Sequence, residues 1–346
     1  MWPYWMMLLL PLAGVAGNAR SQLGRYSWYL VIFLFALMVG LRYEVGGDWG
    51  SYLRHFDFIL YYDFSEVLGR GDPGYYGINW IVADNGGSIL WVNLVCAFIA
   101  IGGLHYFCRN QPLPWLALYV AVPYLIIVVC MGYSRQAAAL GFALIGLTAL
   151  GKHQLKQFVF WVILGALFHK TAVLLIPIAA LSSSKNKFWN FIWVGIMAAA
   201  AAYVLIVDDV DHLIGAYIED DYAFASQGAQ IRVFMNVVPA VLLLLFHKRL
   251  FYDKAERKLW VILALISLVC IPALSYSATA VDRMALYLLP IQLFVFSRLP
   301  FIAKNRANYN FIIFGVVAYY ALVQFVWLNF GHHARFWLPY QSYLFS

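Results

Sequence analysis

Long apolar runs, separated by short polar loops, cover most of this 346-residue chain. A helix needs about 20 apolar residues to cross a hydrocarbon layer of about 30 Å, and shorter runs reach that length with their polar flanks. Ten runs are predicted to span a membrane: 2–17, 26–42, 89–107, 112–132, 135–151, 188–207, 231–247, 259–275, 283–299 and 309–328. The pattern predicts an all-α fold, a polytopic bundle of about ten spans in one transmembrane domain, 1–346.

The composition agrees with this prediction. Hydrophobic residues make up 64% of the chain and charged residues 11%, against about 45–50% and about 25% in soluble domains. No soluble core could absorb so much apolar surface. The four cysteines stand singly in or beside apolar runs, so we expect small core residues and no disulfide framework.

The stretch 157–181 is ambiguous, because His169-Lys170-Thr171 interrupts it near its middle. If it forms a re-entrant helical hairpin, 15 of the 23 Lys and Arg residues share one face, and the two faces carry +13 and −6. If it forms a single span, the basic loop 247–258 is placed outside. The positive-inside rule therefore favours the hairpin, with the basic face in the cytoplasm and His169 beside a cavity.

Two segments are then predicted outside the membrane, 43–88 and 208–230. The first mixes aromatic and charged residues, which is typical of interfacial helices. The net charge of +7 follows the sidedness of the loops and does not indicate a nucleic-acid partner.

The densest polar cluster runs from Arg42 to Tyr52, where the second predicted span meets the outside. Gly46-Gly47 allows a sharp turn, after which Asp48 stands at a helix N-cap. On that helix, Asp48 and Tyr52 share a face. Arg42 is either an interface anchor or a planar donor for a diphosphate.

Two more arginines are predicted at outer helix ends, where the charge bias does not account for them. Arg135 is a diphosphate ligand or an interface anchor, and Arg283 is a diphosphate ligand or the ion-pair partner of Asp282. His169 is a candidate general base, because an ordinary histidine titrates near neutral pH. Alternatively, neighbouring backbone or hydroxyl groups form hydrogen bonds with the ring nitrogens of His169, and the residue has only a structural role.

Three parts of the chain resemble one family. The run 42–49, RYEVGGDW, with Tyr52 resembles the Arg…Val-Gly-Thr-Asp-Tyr…Tyr signature of the EpsG-like, Wzy-type polysaccharide polymerases. The runs 134–139, SRQAAA, and 166–172, ALFHKTA, are similar to that family's Arg-Gln-x-hydrophobic-Ala … Phe-His-x-Ser-Ala pattern. Asp282-Arg283 with Tyr287, and the run 337–340, WLPY, resemble its C-terminal features. Gly47, Trp49 and Thr171 replace the usual Thr, Tyr and Ser, and only Thr171 keeps the hydroxyl.

The resemblance implies a glycosyltransferase of surface polysaccharides, such as O-antigen, in the bacterial inner membrane. Its active site would face the periplasm. Its substrate would be an oligosaccharide on undecaprenyl diphosphate, and the growing chain would pass to a sugar hydroxyl of the next lipid-linked unit. Membrane lipid would surround it, no cofactor is implied, and a chain-length regulator protein stays open as a partner.

On this interpretation the diphosphate ligands are Arg42, Arg135 and Arg283, and the base is His169 or Asp48. Further substrate contacts are expected from Tyr43, Glu44, Tyr52, Asp282 and Tyr287. Transfer is expected without a divalent metal, because guanidinium groups supply the positive charge. The rival hypothesis is a metal site of Glu44 and Asp48 across the glycine turn.

Two other functions stay open. A flippase or transporter for lipid-linked sugars would also line a cavity with arginines, although transporters often pair broken helices between two halves and only one broken segment is visible here. A membrane acyltransferase that modifies polysaccharide could use His169 as its base, but no donor site is evident in the sequence.

Overall fold

The structure, a computed structural model, describes residues 1–17, 22–182, 192, 195, 196, 227–251 and 253–345. The predicted span 188–207 lies almost wholly outside these residues. The predicted outer segment 208–230 lies outside them up to residue 226.

Every regular element in the described ranges is a helix, which confirms the all-α fold class. The α-helices are α1 (Trp2–Ala16), α2 (Gln22–Gly40), α3 (Trp49–Phe58), α4 (Phe64–Gly69), α5 (Pro73–Asp84), α6 (Ile89–Arg109), α7 (Pro114–Ala121), α8 (Ser134–Gly151), α9 (Leu155–Phe168), α10 (Ile176–Ser182), α11 (Gln227–Leu250), α12 (Lys254–Ala273), α13 (Ala278–Leu288), α14 (Pro290–Arg298) and α15 (Arg306–Phe330). A π-helix (Val122–Cys130) continues α7. Short 3-10 helices follow α3, α9, α14 and α15 (Ile59–Tyr61, Lys170–Leu175, Leu299–Ile302 and His332–Phe336).

Four helical stretches in the described residues are long and apolar enough to cross a membrane: Ile89–Arg109, Gly228–Leu250, Ala278–Ile302 and Arg306–Phe330. Shorter apolar helices accompany them at Trp2–Ala16, Gly24–Gly40, Pro114–Cys130 and Leu155–Ala166. These helices indicate a membrane protein, and the count of about ten spans stays a prediction.

A fully apolar rod, formed by α7 and the π-helix, lies at the centre of the bundle. Every residue from Trp115 to Met131 is buried, as expected of a helix that is hydrophobic all round. Helices α1, α6, α14 and α15 pack around the rod. The outward surface of α15 is apolar as well, with Phe311 74% and Phe314 68% exposed, so that lipid can cover it.

Helix α8 packs closely against α6 and α9. A Cβ on Gly103 of α6 would lie 2.0 Å from the Gly141 oxygen of α8, so small residues let these two backbones approach. Gly146 faces Phe158 near one end of α8, and Gln136 meets His169 near its other end. Helix α9 therefore runs antiparallel to α8.

Several loops that the positive-inside rule assigns to one face meet at one end of the bundle, which we name the basic end. His153 Nε2 lies 3.3 Å from the Asp253 carboxylate. Arg298 forms an ion pair with Glu256 at 3.1 Å and donates a hydrogen bond to Gln111. The loops that hold residues 153, 253 and 298 therefore lie at the same end.

The helix break predicted at His169 is present. Helix α9 ends at Phe168, and His169 has an extended backbone (φ −156°, ψ 112°) before the 3-10 helix Lys170–Leu175. From Arg135 to Gly151, α8 advances by 16 residue steps, or about 24 Å at 1.5 Å per residue. Arg135 and His169 therefore lie at the end opposite the basic end, and the re-entrant hairpin itself stays a prediction.

We expect the basic end to face the cytoplasm. Single cysteines introduced at Lys152 and Arg306 should resist a membrane-impermeant maleimide in intact cells, whereas one at Asp63 should react. All three positions are exposed, and the four native cysteines are buried, so the background should be low. Labelling from outside at both 152 and 306 would overturn this sidedness.

Candidate functional site

The loop between α2 and α3 is shaped by Gly46. Its φ is +112°, and a Cβ on it would lie 2.3 Å from the Met131 oxygen, so that only glycine fits. An added Cβ on Gly47 would meet nothing within 4 Å. The turn predicted at Gly46-Gly47 thus depends on the first glycine, and it leads to Asp48 at the N-cap position of α3, where its side chain makes no capping hydrogen bond.

Arg42 lies behind this loop and is 1% exposed. Its guanidinium donates to the backbone oxygens of Val39 at 2.6 Å and Val45 at 3.3 Å. It also donates to Ser134 Oγ at 2.6 Å and Asn93 Oδ1 at 3.2 Å. Because its donors are engaged inside the protein, this geometry favours a structural role for Arg42, which holds the loop against the start of α8.

Arg135 is more open, with 36% of its side chain exposed. One guanidinium nitrogen lies 3.0 Å from Asp72 Oδ2, and the Asp72 side chain is only 7% exposed. The rings of Tyr52 and Tyr75 lie 5.9 and 5.8 Å from Arg135 Cζ. The carboxylate and the aromatic rings hold the guanidinium from one side, and its exposed part can bind an anion.

Asp72 is a residue that sequence reasoning missed. Its second oxygen accepts a hydrogen bond from the Lys170 backbone N–H at 3.0 Å. Burial raises the pKa of the Asp72 carboxyl, and the charge of Arg135 and the hydrogen bond from Lys170 oppose that shift. The available signal was local: Asp72-Pro73 is an N-cap followed by proline at the first position of α5. No local sequence pattern indicates that Asp72 contacts Arg135 and Lys170.

His169 has a partner on each ring nitrogen. Gln136 lies 2.9 Å from its Nε2, and Thr171 Oγ1 lies 3.0 Å from its Nδ1. Thr171 Oγ1 also donates toward the Tyr287 hydroxyl at 3.4 Å. This chain of contacts joins α8, the break after α9 and α13, and it brings the two runs 134–139 and 166–172 together.

Asp282 is paired with Arg232 of α11. Arg232 Nη1 lies 2.5 Å from Asp282 Oδ2, and Arg232 also donates to the hydroxyl of Tyr124. Adjacent residues of a helix point in different directions, so Asp282 does not neutralise Arg283. The half-buried Arg283 has an Nε that is buried without a hydrogen-bond partner in the described residues.

Asp48 is close enough to Arg283 and Arg135 for both charges to act on its carboxyl group. Burial raises the pKa of its carboxyl, and the charges of Arg283 and Arg135 oppose that shift. The same two charges act on His169. Arg135, Arg283, Asp48 and His169 therefore form one cluster, which we name the arginine site. Tyr52 and Tyr287 contribute to its walls, each largely buried.

Tyr43 lies next to the C-terminal tail, and Glu44 follows it in the chain. The Tyr43 ring packs edge-on against Tyr343 at 4.9 Å, and Glu44 is exposed. Within the described residues, no group of three or more His, Cys, Asp or Glu side chains is arranged to hold a metal ion.

A sequence model of the EpsG family matches residues 25–342. Neither the comparison with curated proteins nor the comparison with solved structures gives a significant match. The family match covers nearly the whole chain, so the chain belongs to the EpsG family. Together with the apolar helices, this membership indicates a membrane protein of polysaccharide biosynthesis.

We expect Asp72→Asn to reduce surface polysaccharide about ten- to hundredfold in cells that depend on this protein, since charged hydrogen bonds contribute about 1.5–3 kcal/mol. The amide can still accept from Lys170 but leaves Arg135 without a counter-charge. Polysaccharide yield, normalised to protein abundance in membranes, measures the effect. Asp63→Asn is the matched control, because Asp63 is the exposed N-cap residue of α4 in the same segment. Full activity of Asp72→Asn would contradict a role in the site.

Proposed function

We propose that this EpsG-family protein is a polysaccharide polymerase that acts at the outer face of the bacterial inner membrane. It transfers a growing glycan from undecaprenyl diphosphate to a sugar hydroxyl of the next lipid-linked repeat unit. The observation that carries this proposal is the arginine site, where two guanidinium groups and one carboxylate lie at the end of the bundle away from the basic loops.

The reaction requires stabilisation of a leaving diphosphate. The bond between the anomeric carbon and the phosphate oxygen breaks, and the diphosphate keeps the electron pair. A new bond forms between that carbon and the acceptor oxygen, whose proton passes to a base. Arg135 and Arg283 suit the first task, because preformed cationic donors stabilise charge that develops on phosphate oxygens.

Asp48 suits the role of the base better than His169. No hydrogen bond from the described residues occupies the Asp48 carboxylate, whereas both ring nitrogens of His169 already have partners. A carboxylate between two arginines can accept the hydroxyl proton as the cations bind the diphosphate. His169 then orients the arginine site through Gln136 and Thr171, and we propose Asp48 as the base of the two candidates from the sequence.

The proposed outward orientation of the arginine site rests on the net charges of the two membrane faces. Under the hairpin interpretation the basic face carries +13 and the opposite face −6, and cytoplasmic loops are enriched in Lys and Arg. The arginine site lies about 24 Å from the basic end along α8, which supports its position near the outer surface.

Deletion of the gene tests the polymerase assignment. We expect surface lipid that carries a single repeat unit in place of long chains, because export continues and joining stops. Gel separation of surface glycolipid measures chain length. Loss of all surface material, with lipid-linked units trapped inside, would indicate a flippase. Full-length chains that lack acyl groups would indicate an acyltransferase, and either outcome contradicts the proposal.

We further expect polymer formation to persist in excess chelator when purified protein is given lipid-linked repeat units. The charges of Arg135 and Arg283 both act on Asp48, so the site already carries positive charge, which a magnesium ion would otherwise supply. If chelation abolishes the product and magnesium or manganese restores it, the rival metal site of Glu44 and Asp48 is correct. The polymerase assignment would survive that result, but the arginine mechanism would not.

A further inference from the structure

Three aromatic rings lie together beside the arginine site. Tyr43 and Tyr343 are 4.9 Å apart and nearly perpendicular, Tyr43 and Trp49 are 6.0 Å apart, and Trp49 and Tyr343 are 6.4 Å apart. These distances are typical of edge-to-face aromatic packing. All three side chains are only partly buried. We name this group the aromatic shelf.

The shelf is built from two distant parts of the chain that are tied by backbone hydrogen bonds. The Tyr43 N–H donates to the Gln341 oxygen at 3.0 Å, and the Tyr343 N–H donates to the Leu41 oxygen at 2.9 Å. Behind the shelf, the Arg42 guanidinium lies 5.9 Å from the Trp49 ring. The rings are therefore held in place by the same loop that carries Asp48.

Polar groups border the shelf. Glu44 is exposed and has a left-handed backbone (φ +51°), which is uncommon for a residue other than glycine and which clusters at binding sites. Burial raises the pKa of Tyr343, the neighbouring Tyr43 and Glu44 also raise it, and the charge of Arg42 opposes that shift. Asp48 directly precedes Trp49 in the chain.

Aromatic rings beside a carboxylate match the chemistry of a sugar. A pyranose ring has apolar C–H groups on its faces and hydroxyl groups around its edge. The faces of aromatic rings carry partial negative charge and attract C–H groups. Carboxylates accept hydrogen bonds from hydroxyls. Such a combination of apolar surface and a few placed polar groups is typical of small-molecule sites.

We infer that the aromatic shelf binds the acceptor sugar, the non-reducing end of the incoming repeat unit, and presents its hydroxyl to Asp48. This inference rests on the proposed polymerase function. Charge keeps the donor off the shelf, because the exposed Glu44 repels a diphosphate while Arg135 and Arg283 attract it. The donor therefore binds at the arginine site and the acceptor binds at the shelf.

Two probes separate the subsites. An oligosaccharide repeat unit on a neutral alkyl chain can accept but cannot donate, and a lipid-diphosphate unit blocked at its non-reducing end can donate but cannot accept. We expect Tyr343→Leu to raise the KM for the first probe about tenfold, equivalent to about 1.4 kcal/mol. The KM for the second probe should stay unchanged. Tyr343→Phe, which keeps the ring, should stay close to wild type.

The matched control is Phe345→Leu, in the same tail. Phe345 is 90% exposed and lines a separate apolar groove of about 510 Å³ with residues of α1 and α2, so both KM values should stay unchanged. If Tyr343→Leu behaves like Phe345→Leu in an active enzyme, the shelf is only an aromatic anchor at the membrane interface, and the inference is wrong.

Failure of the proposed function would look different. If the wild-type protein transfers nothing between the two probes, direct binding of the acceptor probe to purified protein becomes the readout. Binding by wild type that is lost in Tyr343→Leu and retained in Phe345→Leu would support a sugar site without a polymerase. Equal binding by all three proteins, or none, would overturn the shelf as a sugar site.

Discussion

The buried carboxylate of Asp72 is the interaction on which the arginine site depends. One oxygen holds Arg135 at the start of α8, and the other holds the backbone of Lys170 just beyond the break that ends α9. A buried charge with one partner removed is costly, so these three segments must move together. Because His169 directly precedes Lys170, the two contacts of Asp72 also fix the distance between Arg135 and His169. Neither α8 nor α9 could set that distance alone.

A second constraint is that some arginines have their donors engaged inside the protein, whereas others keep exposed or unpaired donors in the described residues. Arg42 is saturated by neutral oxygens, and Arg232 is engaged by Asp282 and Tyr124. Asp282 is turned toward Arg232 and does not pair with Arg283 in the described residues. The fold thus uses Arg42 and Arg232 to fasten helices, whereas the charges of Arg135 and Arg283 both act on Asp48.

The two ends of the bundle differ in the polar and aromatic contacts that hold their loops. The basic end gathers loops that ion pairs, such as Arg298 with Glu256, join to one another. The opposite end joins the loop 41–48 to the C-terminal tail and thereby places the aromatic shelf beside the arginine site. The proposed polymerase would need a donor subsite and an acceptor subsite around one base, and we propose that the arginine site and the aromatic shelf serve as these two subsites.

The sequence by itself determined the membrane class, the all-α fold, the glycine turn at Gly46, the N-cap at Asp48 and the helix break at His169. Each follows from composition, hydrophobic periodicity or local backbone chemistry, which neighbouring residues encode. Only the tertiary structure decided which charges meet. The partners Asp72 and Arg135, Arg232 and Asp282, and Tyr43 and Tyr343 are far apart in the chain. Their contacts depend on how helices pack in three dimensions, and no local pattern records that.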